Sequence, residues 1–160
     1  MPKGKGGARG KLPAHAAVRQ ARAELPVSAA RERPVFCFKH AQVNCDPRWA
    51  FRPATDEAAE LLEFLRLMAQ STWAEIESMR TGGKDRHKKH HDLEVDAPPF
   101  DSQAVRDLEK AKLGQEFGET MFRFRLSGEK RLWGFRNHAT FHVVWWDPDH
   151  KVCPTEKNHT

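Results

Sequence analysis

The sequence predicts an α+β domain, in which a small antiparallel C-terminal sheet packs against two to three helices. Two patterns predict this fold: the middle of the chain has helical apolar spacing, whereas the last third alternates polar and apolar residues. The length of 160 residues suits one domain. We therefore expect a three-strand meander, joined by an N-terminal strand, in a single domain over residues 34–153.

The N-terminal segment, residues 1–33, is predicted to be a disordered basic arm. It contains eight Lys or Arg residues and two Glu residues, so its net charge is 8 − 2 = +6, whereas the whole chain is +5. Its glycines and prolines, and its few large apolar residues, disfavour a packed core. Such an arm favours weak, salt-dependent binding to polyanions. Residues 154–160 are expected to form a flexible tail.

Several classes of protein are disfavoured by the composition. No apolar run approaches the ~20 residues of a membrane helix, and the N-terminus lacks the apolar core of a secretory signal. Three cysteines are too few for a disulfide framework and indicate a reduced, cytoplasmic protein. P-loop, GxGxxG, GxSxG and HExxH motifs are missing, which disfavours common nucleotide-binding, hydrolase and zincin functions. We expect no cofactor.

The first predicted elements are a strand and a helix. Residues Pro34 to His40 are rich in β-forming side chains and predict the first strand. A helix is predicted to begin at Thr55 or Asp56. Its apolar stripe consists of Leu61, Leu62, Leu65, Met68 and Ala69, which recur at helical spacing.

Two further helices are predicted before the meander. Thr72 and Glu75 have the spacing of a capping box, which predicts a second helix with Trp73, Ile76 and Met79 on its buried side. The third helix is expected to begin at Asp101 or Ser102 and to end at Leu113, before Gly114. Because its apolar stripe is thin, we expect a marginal helix on the surface of the domain. The polar residues 81–99 between them are predicted to form a loop.

Three strands are predicted between residues 121 and 147, separated by turns at 127–128 and 137–138. In the first strand, Phe122, Phe124 and Leu126 face one side, while Met121, Arg123 and Arg125 face the other. In the last strand, Trp145 and Trp146 point to opposite faces. We expect one of these tryptophans to be buried and the other, Trp146 in our assignment, to stack an unpaired base.

Four arginines of the meander, Arg123, Arg125, Arg131 and Arg136, are candidates for binding phosphate. Guanidinium groups bind phosphate bidentately and remain charged at cellular pH. The meander can place Arg123 or Arg125 beside Arg131, within reach of one backbone segment. The alternative is an ordinary solvated face, on which arginine alternates with phenylalanine.

The end of the last strand carries the candidate catalytic residues His142, Asp147 and His150, with Lys151 as a further phosphate ligand. Metal-independent RNA cleavage needs groups that move protons, for which histidine is suited, and a cation that stabilises the phosphorane, for which Arg131 is suited. We expect His142 or His150 to move protons and Asp147 to orient one of them. The alternative is that the Asp-Pro-Asp sequence only ends the strand.

A third candidate site is the group His87, His90, His91 and Asp92. Its spacing could ligate a metal on a helix. Neighbouring lysines and arginines repel a cation, and the glycines before the group indicate a loop, so no metal site is expected here. A metal-dependent nuclease that uses this group remains a minor alternative.

The C-terminal third resembles the RelE/ParE/HigB-like toxins of bacterial and phage toxin–antitoxin systems. The resemblance rests on an R-x-R strand, an x-R-L-x-G-F strand, a V-V-W-W strand and a final D-P-D-H-K-V. Residues 34–80 further resemble uncharacterised bacterial and phage proteins with this ending. Arg123 or Arg125 would match the first sheet arginine, Arg131 the arginine after the turn, and His150 with Lys151 the polar ending.

The resemblance implies a toxin-like endoribonuclease of the mRNA interferase type, without a metal. Its partners would be RNA, including RNA on the ribosome, and an antitoxin protein, with no membrane involved. One departure is that many members use a C-terminal tyrosine in catalysis, whereas this chain contains no tyrosine. The alternative is a non-catalytic RNA- or protein-binding module with the same fold.

Overall fold

A computed structural model describes residues 27–81, 86–95 and 100–154. The part of the predicted arm before residue 27, and the tail from residue 155, lie outside the described residues. Residues Val27–Arg31, which were assigned to the arm, form a short helix, α1. Ala29 of α1 is buried, and the carbonyl of Glu32 accepts a hydrogen bond from the Trp73 amide. This end of the arm therefore packs against the domain.

The α+β prediction is confirmed; the described residues form five strands where four were expected, and five helices where two to three were expected. After α1 come strand β1 (Val35–Cys37), helices α2 (Thr55–Gln70) and α3 (Trp73–Ser78), and strand β2 (His90–Glu94). Helices α4 (Ser102–Lys110) and α5 (Leu113–Phe117) follow, and then strands β3 (Thr120–Arg125), β4 (Arg131–Asn137) and β5 (Thr140–Asp147). No helix in the described ranges is long and apolar enough to cross a membrane.

The sheet is mixed rather than purely antiparallel. Its strand order is β1-β5-β4-β3-β2, with β1 parallel to β5 and every other pair antiparallel. The β3–β4 register places Arg125 opposite Arg131, as the spacing predicted. A bulge at Trp133 and Gly134 interrupts the β4–β5 ladder. There, a Cβ on Gly134 would lie 2.2 Å from the backbone oxygen of His142, so only glycine fits.

Strand β2 corrects the prediction of a loop between residues 81 and 99. His91 and Leu93 alternate with His90 and Asp92 along β2, which pairs with β3 over five residues. Leu93 and Val95 pack against the core that also contains Met121. This alternation is the signal of a half-buried edge strand, although the surrounding lysines and histidines conceal it.

One side of the sheet, the α2 face, packs against helices α2 and α3. Its core contains Leu61, Met68, Trp73, Phe122 and Phe124. Of the predicted α2 stripe, Leu61, Leu65 and Met68 pack against the core, whereas Leu62 and Ala69 are exposed and Phe64 packs there instead. The capping box at Thr72 is present: its Oγ1 accepts a hydrogen bond from the Glu75 amide, and Glu75 accepts one from the Thr72 amide.

The other side, the arginine face, carries Met121, Arg123, Arg125, Trp133 and Trp145. Helices α4 and α5 cover one half of it, where Ala104, Leu108 and Leu113 join Trp49 in a second core. The third helix is therefore not a marginal surface helix, and it ends at Lys110 rather than Leu113. The other half of this face, toward the β3–β4 turn, lies beyond these helices and carries the charged residues.

Candidate functional site

Three arginines gather at the half of the arginine face that α4 and α5 leave free, where the segment after β5 lies against them. Arg123 and Arg125 lie two residues apart on β3, and Arg131 lies opposite Arg125 on β4. His91 on β2 is the register partner of Arg123, and His150 follows the end of β5. We call Arg123, Arg125, Arg131, His91 and His150 the arginine cluster.

The cluster holds three guanidinium charges in a partly buried place, where Asp147 and Glu129 offset only part of them. Arg123 is 6% and Arg131 5% exposed. The Nε atoms of all three arginines are buried, and none has a hydrogen-bond partner among the described residues. Burial and the neighbouring guanidinium groups lower the pKa of Arg131 to about 10, opposed by Asp147 and Glu129. A buried donor without an acceptor is costly, and a bound anion would supply acceptors for these Nε groups.

Both histidines of the cluster are neutral at pH 7. Burial, and then Arg131 and Arg123, lowers the pKa of His150 to about 4. Burial, and then Arg123 and Arg125, lowers the pKa of His91 to about 4. The Nη1 of Arg123 lies 3.1 Å from Nε2 of His150. A guanidinium can only donate, so Nε2 accepts and the ring proton resides on Nδ1.

Asp147 is a structural anchor for the turn that carries His150. It is fully buried, and its carboxylate accepts from the amides of Lys151 (2.7 Å) and Val152 (3.1 Å) and from Nε1 of Trp133 (3.2 Å). Burial raises its pKa, and these hydrogen bonds oppose that shift. His150 adopts a left-handed conformation with φ 55° inside this turn. Asp147 therefore fixes the chain on both sides of His150, without a hydrogen bond to its ring.

His142, a predicted catalytic residue, lies away from the arginine cluster. It is five residues before Asp147 on β5, or about 16 Å along the strand. Its ring packs against Phe117 (centroids 4.6 Å apart) and His40 (5.7 Å). Burial, and then His40, lowers its pKa. The structure thus brings His150, Arg131 and Asp147 together and separates His142 from them.

Two of the predicted RNA ligands, Trp146 and Arg136, are engaged in contacts within the domain. Trp146 is 1% exposed, and its Nε1 donates to Glu57 over 2.8 Å, so it has no ring face for a base. Trp145 is also fully buried, so the prediction that one of the pair stacks a base is wrong. Arg136 lies over the ring of Trp73, with 4.1 Å from Cζ to the centroid, and pairs with Glu77. Lys151 is exposed beside the turn and remains available.

The histidine group 87–91 is split by β2. His90 points to the α2 face, where it stacks on Phe122 and contacts the Glu77 carbonyl at 3.1 Å. His91 points to the arginine face, and His87 is exposed before the strand. Within the described ranges, no group of three or more His, Cys, Asp or Glu residues is placed to hold a metal ion.

A cleft of about 470 Å³ adjoins the cluster between α2 and the β3–β4 turn. The residues that line it are Glu60, Phe64, Thr81, Lys89, Arg125, Leu126, Ser127 and Gly128. Arg125 lines the cleft and also helps to lower the pKa of His91 and of His150, so it belongs to both the cleft and the arginine cluster. Sequence reasoning missed both this cleft and the role of His91.

Comparison with known proteins gives no match to a family model, to a curated protein or to a solved structure.

Proposed function

We propose that the protein is a toxin-like endoribonuclease that cleaves RNA without a metal ion. The observation that carries the proposal is the arginine cluster, in which three guanidinium groups with unpaired buried Nε donors surround two neutral histidines. A phosphodiester supplies the missing acceptors and the opposite charge. Cellular RNA is the abundant polyanion whose own 2′-hydroxyl can attack that phosphate.

The chemistry requires two proton transfers and stabilisation of charge. A base removes the 2′-hydroxyl proton as the 2′-oxygen bonds to phosphorus, and an acid protonates the departing 5′-oxygen as its bond to phosphorus breaks. The arginines stabilise the charge that develops on the phosphoryl oxygens. His150 and His91 are the groups beside those arginines that can move protons. Either histidine can take either proton role.

A bound phosphate would prepare His150 for this role. When Nη1 of Arg123 exchanges its contact with His150 for one with a phosphate oxygen, Nε2 of His150 is free to take a proton. The phosphate charge also offsets the guanidinium charges that help to lower the pKa of both histidines. The low pKa in the free protein would thus rise toward neutrality in the complex, where a general acid–base catalyst is most effective.

The test is cleavage of a labelled RNA by the full-length protein in the presence of a chelator. We expect products with a 2′,3′-cyclic phosphate. Arg131→Ala should lower the cleavage rate by about 10²–10³-fold and His150→Asn by about 10²–10⁴-fold. Arg66→Ala is the matched control, because Arg66 is exposed and pairs with Glu63 on α2, and it should leave the rate unchanged. Full activity in the double variant Arg131→Ala/His150→Asn would refute the proposal.

A non-catalytic RNA-binding module is the second candidate. The observation that favours it is the contact between Arg123 and His150, which occupies the ring nitrogen that a general base needs. RNA binding without cleavage would support this function. A plot of the logarithm of RNA affinity against the logarithm of salt concentration should become shallower, by about 1 in slope, for each cluster arginine removed.

The toxin proposal includes an antitoxin protein as partner and RNA on the ribosome as a target. Induced expression should then stop growth, and coexpression of a small neighbouring gene should restore it. The double variant Arg131→Ala/His150→Asn serves as the control, and it should permit growth without the neighbour. Harmless expression of a folded protein that binds RNA without cleaving it would favour the binding module.

A further inference from the structure

We infer that the cleft beside Arg125 is a base pocket that selects guanine next to the phosphate bound by the arginine cluster. This inference rests on the proposed RNA-directed function. Its evidence is the size of the cleft, the arrangement of its polar and apolar walls, and its connection to the cluster through Arg125.

The cleft is large enough for a nucleoside and meets the phosphate site at Arg125. Its Phe64 and Leu126 walls belong to the α2 face, whereas Arg125 ends β3 and lies on the arginine face. The cleft volume of about 470 Å³ lies in the range typical of small-molecule sites. Arg125 and Ser127 are two residues apart, or about 7 Å along an extended chain. A nucleotide whose phosphate contacts Arg125 can therefore place its base near Ser127 and Glu60.

The walls of the cleft combine apolar and polar groups. Phe64 and Leu126 provide apolar surface, and both are half-buried against the α2-face core. Such surfaces bind the flat face of a base with little preference for its identity. Lys89, on the same wall as Arg125, adds positive charge for the flanking backbone.

Glu60 is the group that can distinguish one base from another. Its Oε1 accepts from the Ser127 hydroxyl and its Oε2 from Nζ of Lys130. These two hydrogen bonds lower its pKa, so Glu60 is ionised at neutral pH. Each oxygen keeps a further lone pair, and the side chain remains 33% exposed. The carboxylate is thus held in place with acceptor capacity left.

Guanine matches this acceptor because its Watson–Crick edge presents two adjacent donors, N1–H and the N2 amino group. Adenine, cytosine and uracil each have only one donor group on that edge, with an acceptor beside it that a carboxylate repels, so none of them can satisfy both carboxylate oxygens. Unpaired bases are commonly read on this edge. A paired contact of this kind gives about tenfold discrimination.

The experiment measures binding of single nucleotides to the full-length protein by NMR titration or calorimetry. GMP should bind about tenfold more tightly than AMP, CMP or UMP. IMP keeps N1–H but lacks the amino group, so its affinity should lie between those of GMP and AMP. Inorganic phosphate alone should bind most weakly. Equal affinities for GMP and AMP would overturn the inference without any variant.

Glu60→Gln should bring the GMP to AMP ratio close to 1 while leaving phosphate binding unchanged. Glu63→Gln is the matched control, since it removes a carboxylate and an ion pair from the same helix, and it should keep the preference. A GMP preference that persists in Glu60→Gln would contradict the inference.

The outcomes separate this inference from the proposed function. RNA cleavage without a guanine preference would refute the pocket and leave the nuclease. A guanine preference without RNA cleavage would support the pocket and refute the catalytic proposal.

Discussion

Acidification should destabilise the protein through His91 and His150. Each pKa lies at about 4 in the folded protein, against about 6.5 for an unperturbed histidine. The unfolded chain therefore binds more protons between these values, so stability is complete above pH 6.5 and is lost as the pH falls toward 4. The full shift corresponds to about 3 kcal/mol for each histidine. Both rings keep contact with solvent, and screening reduces this to about 1–2 kcal/mol.

The assay is denaturant unfolding at pH 7 and pH 4.5 of the parent protein and of His91→Gln, His150→Asn and His87→Asn. Asparagine suits position 150 because it tolerates the left-handed backbone there. Between pH 7 and pH 4.5, the free energy of unfolding of His91→Gln and of His150→Asn should each fall by about 1–2 kcal/mol less than that of the parent protein. The exposed His87 is the control and should follow the parent. Identical losses in all four proteins would refute the assignment of buried, neutral histidines beside the arginines.

Three substitutions test the roles of individual residues, by the same unfolding measurement at pH 7 and by RNA cleavage. Asp147→Ala should lower the free energy of unfolding by about 3–5 kcal/mol, because it leaves three buried donors unpaired. It should also abolish cleavage, because the turn that carries His150 is released. A loss below about 1 kcal/mol would contradict the anchoring role. Gly134→Ala should lower the free energy of unfolding by about 2 kcal/mol or more, because β4 and β5 must separate to admit the alanine Cβ. A stability near that of the parent protein would contradict the close approach of the two strands. Arg136→Gln should lower the free energy of unfolding by about 1 kcal/mol, because its contacts with Trp73 and Glu77 are lost, and should leave RNA binding unchanged. A smaller slope of log affinity for RNA against log salt concentration would show that Arg136 binds phosphate.

The meander could be predicted from sequence because its pattern and turns act over short distances. Alternation at 121–126 fixes which side chains share a face, and the turn at 127–130 then brings Arg131 opposite Arg125. The capping box at Thr72 is equally local. For these reasons the three arginines of the cluster could be identified in advance, and His150 was identified with them from the polar residues after the last strand.

The rest depends on which elements cover each face, and no local pattern specifies that. Helix α4 packs on the arginine face through Ala104 and Leu108, and this burial removes the exposed side that a stacking Trp145 would need. Trp146 is likewise covered by α2, through Glu57. The place of His91 in the cluster was missed because β2 forms by edge pairing with β3, and Leu93 is the one apolar residue of this strand.

The parallel pairing of β1 with β5 joins residues that are more than 100 positions apart, Val35 and Thr140. The same last strand holds the Gln42 side chain through Trp145 and the Trp49 backbone through Trp146. During synthesis on the ribosome, β1 must therefore wait until β5 has been made before it finds its partner. His150 emerges later still. A nascent chain that has not yet released β5 and His150 from the ribosome can complete neither its sheet nor its arginine cluster, so any activity of the cluster begins only after His150 has emerged.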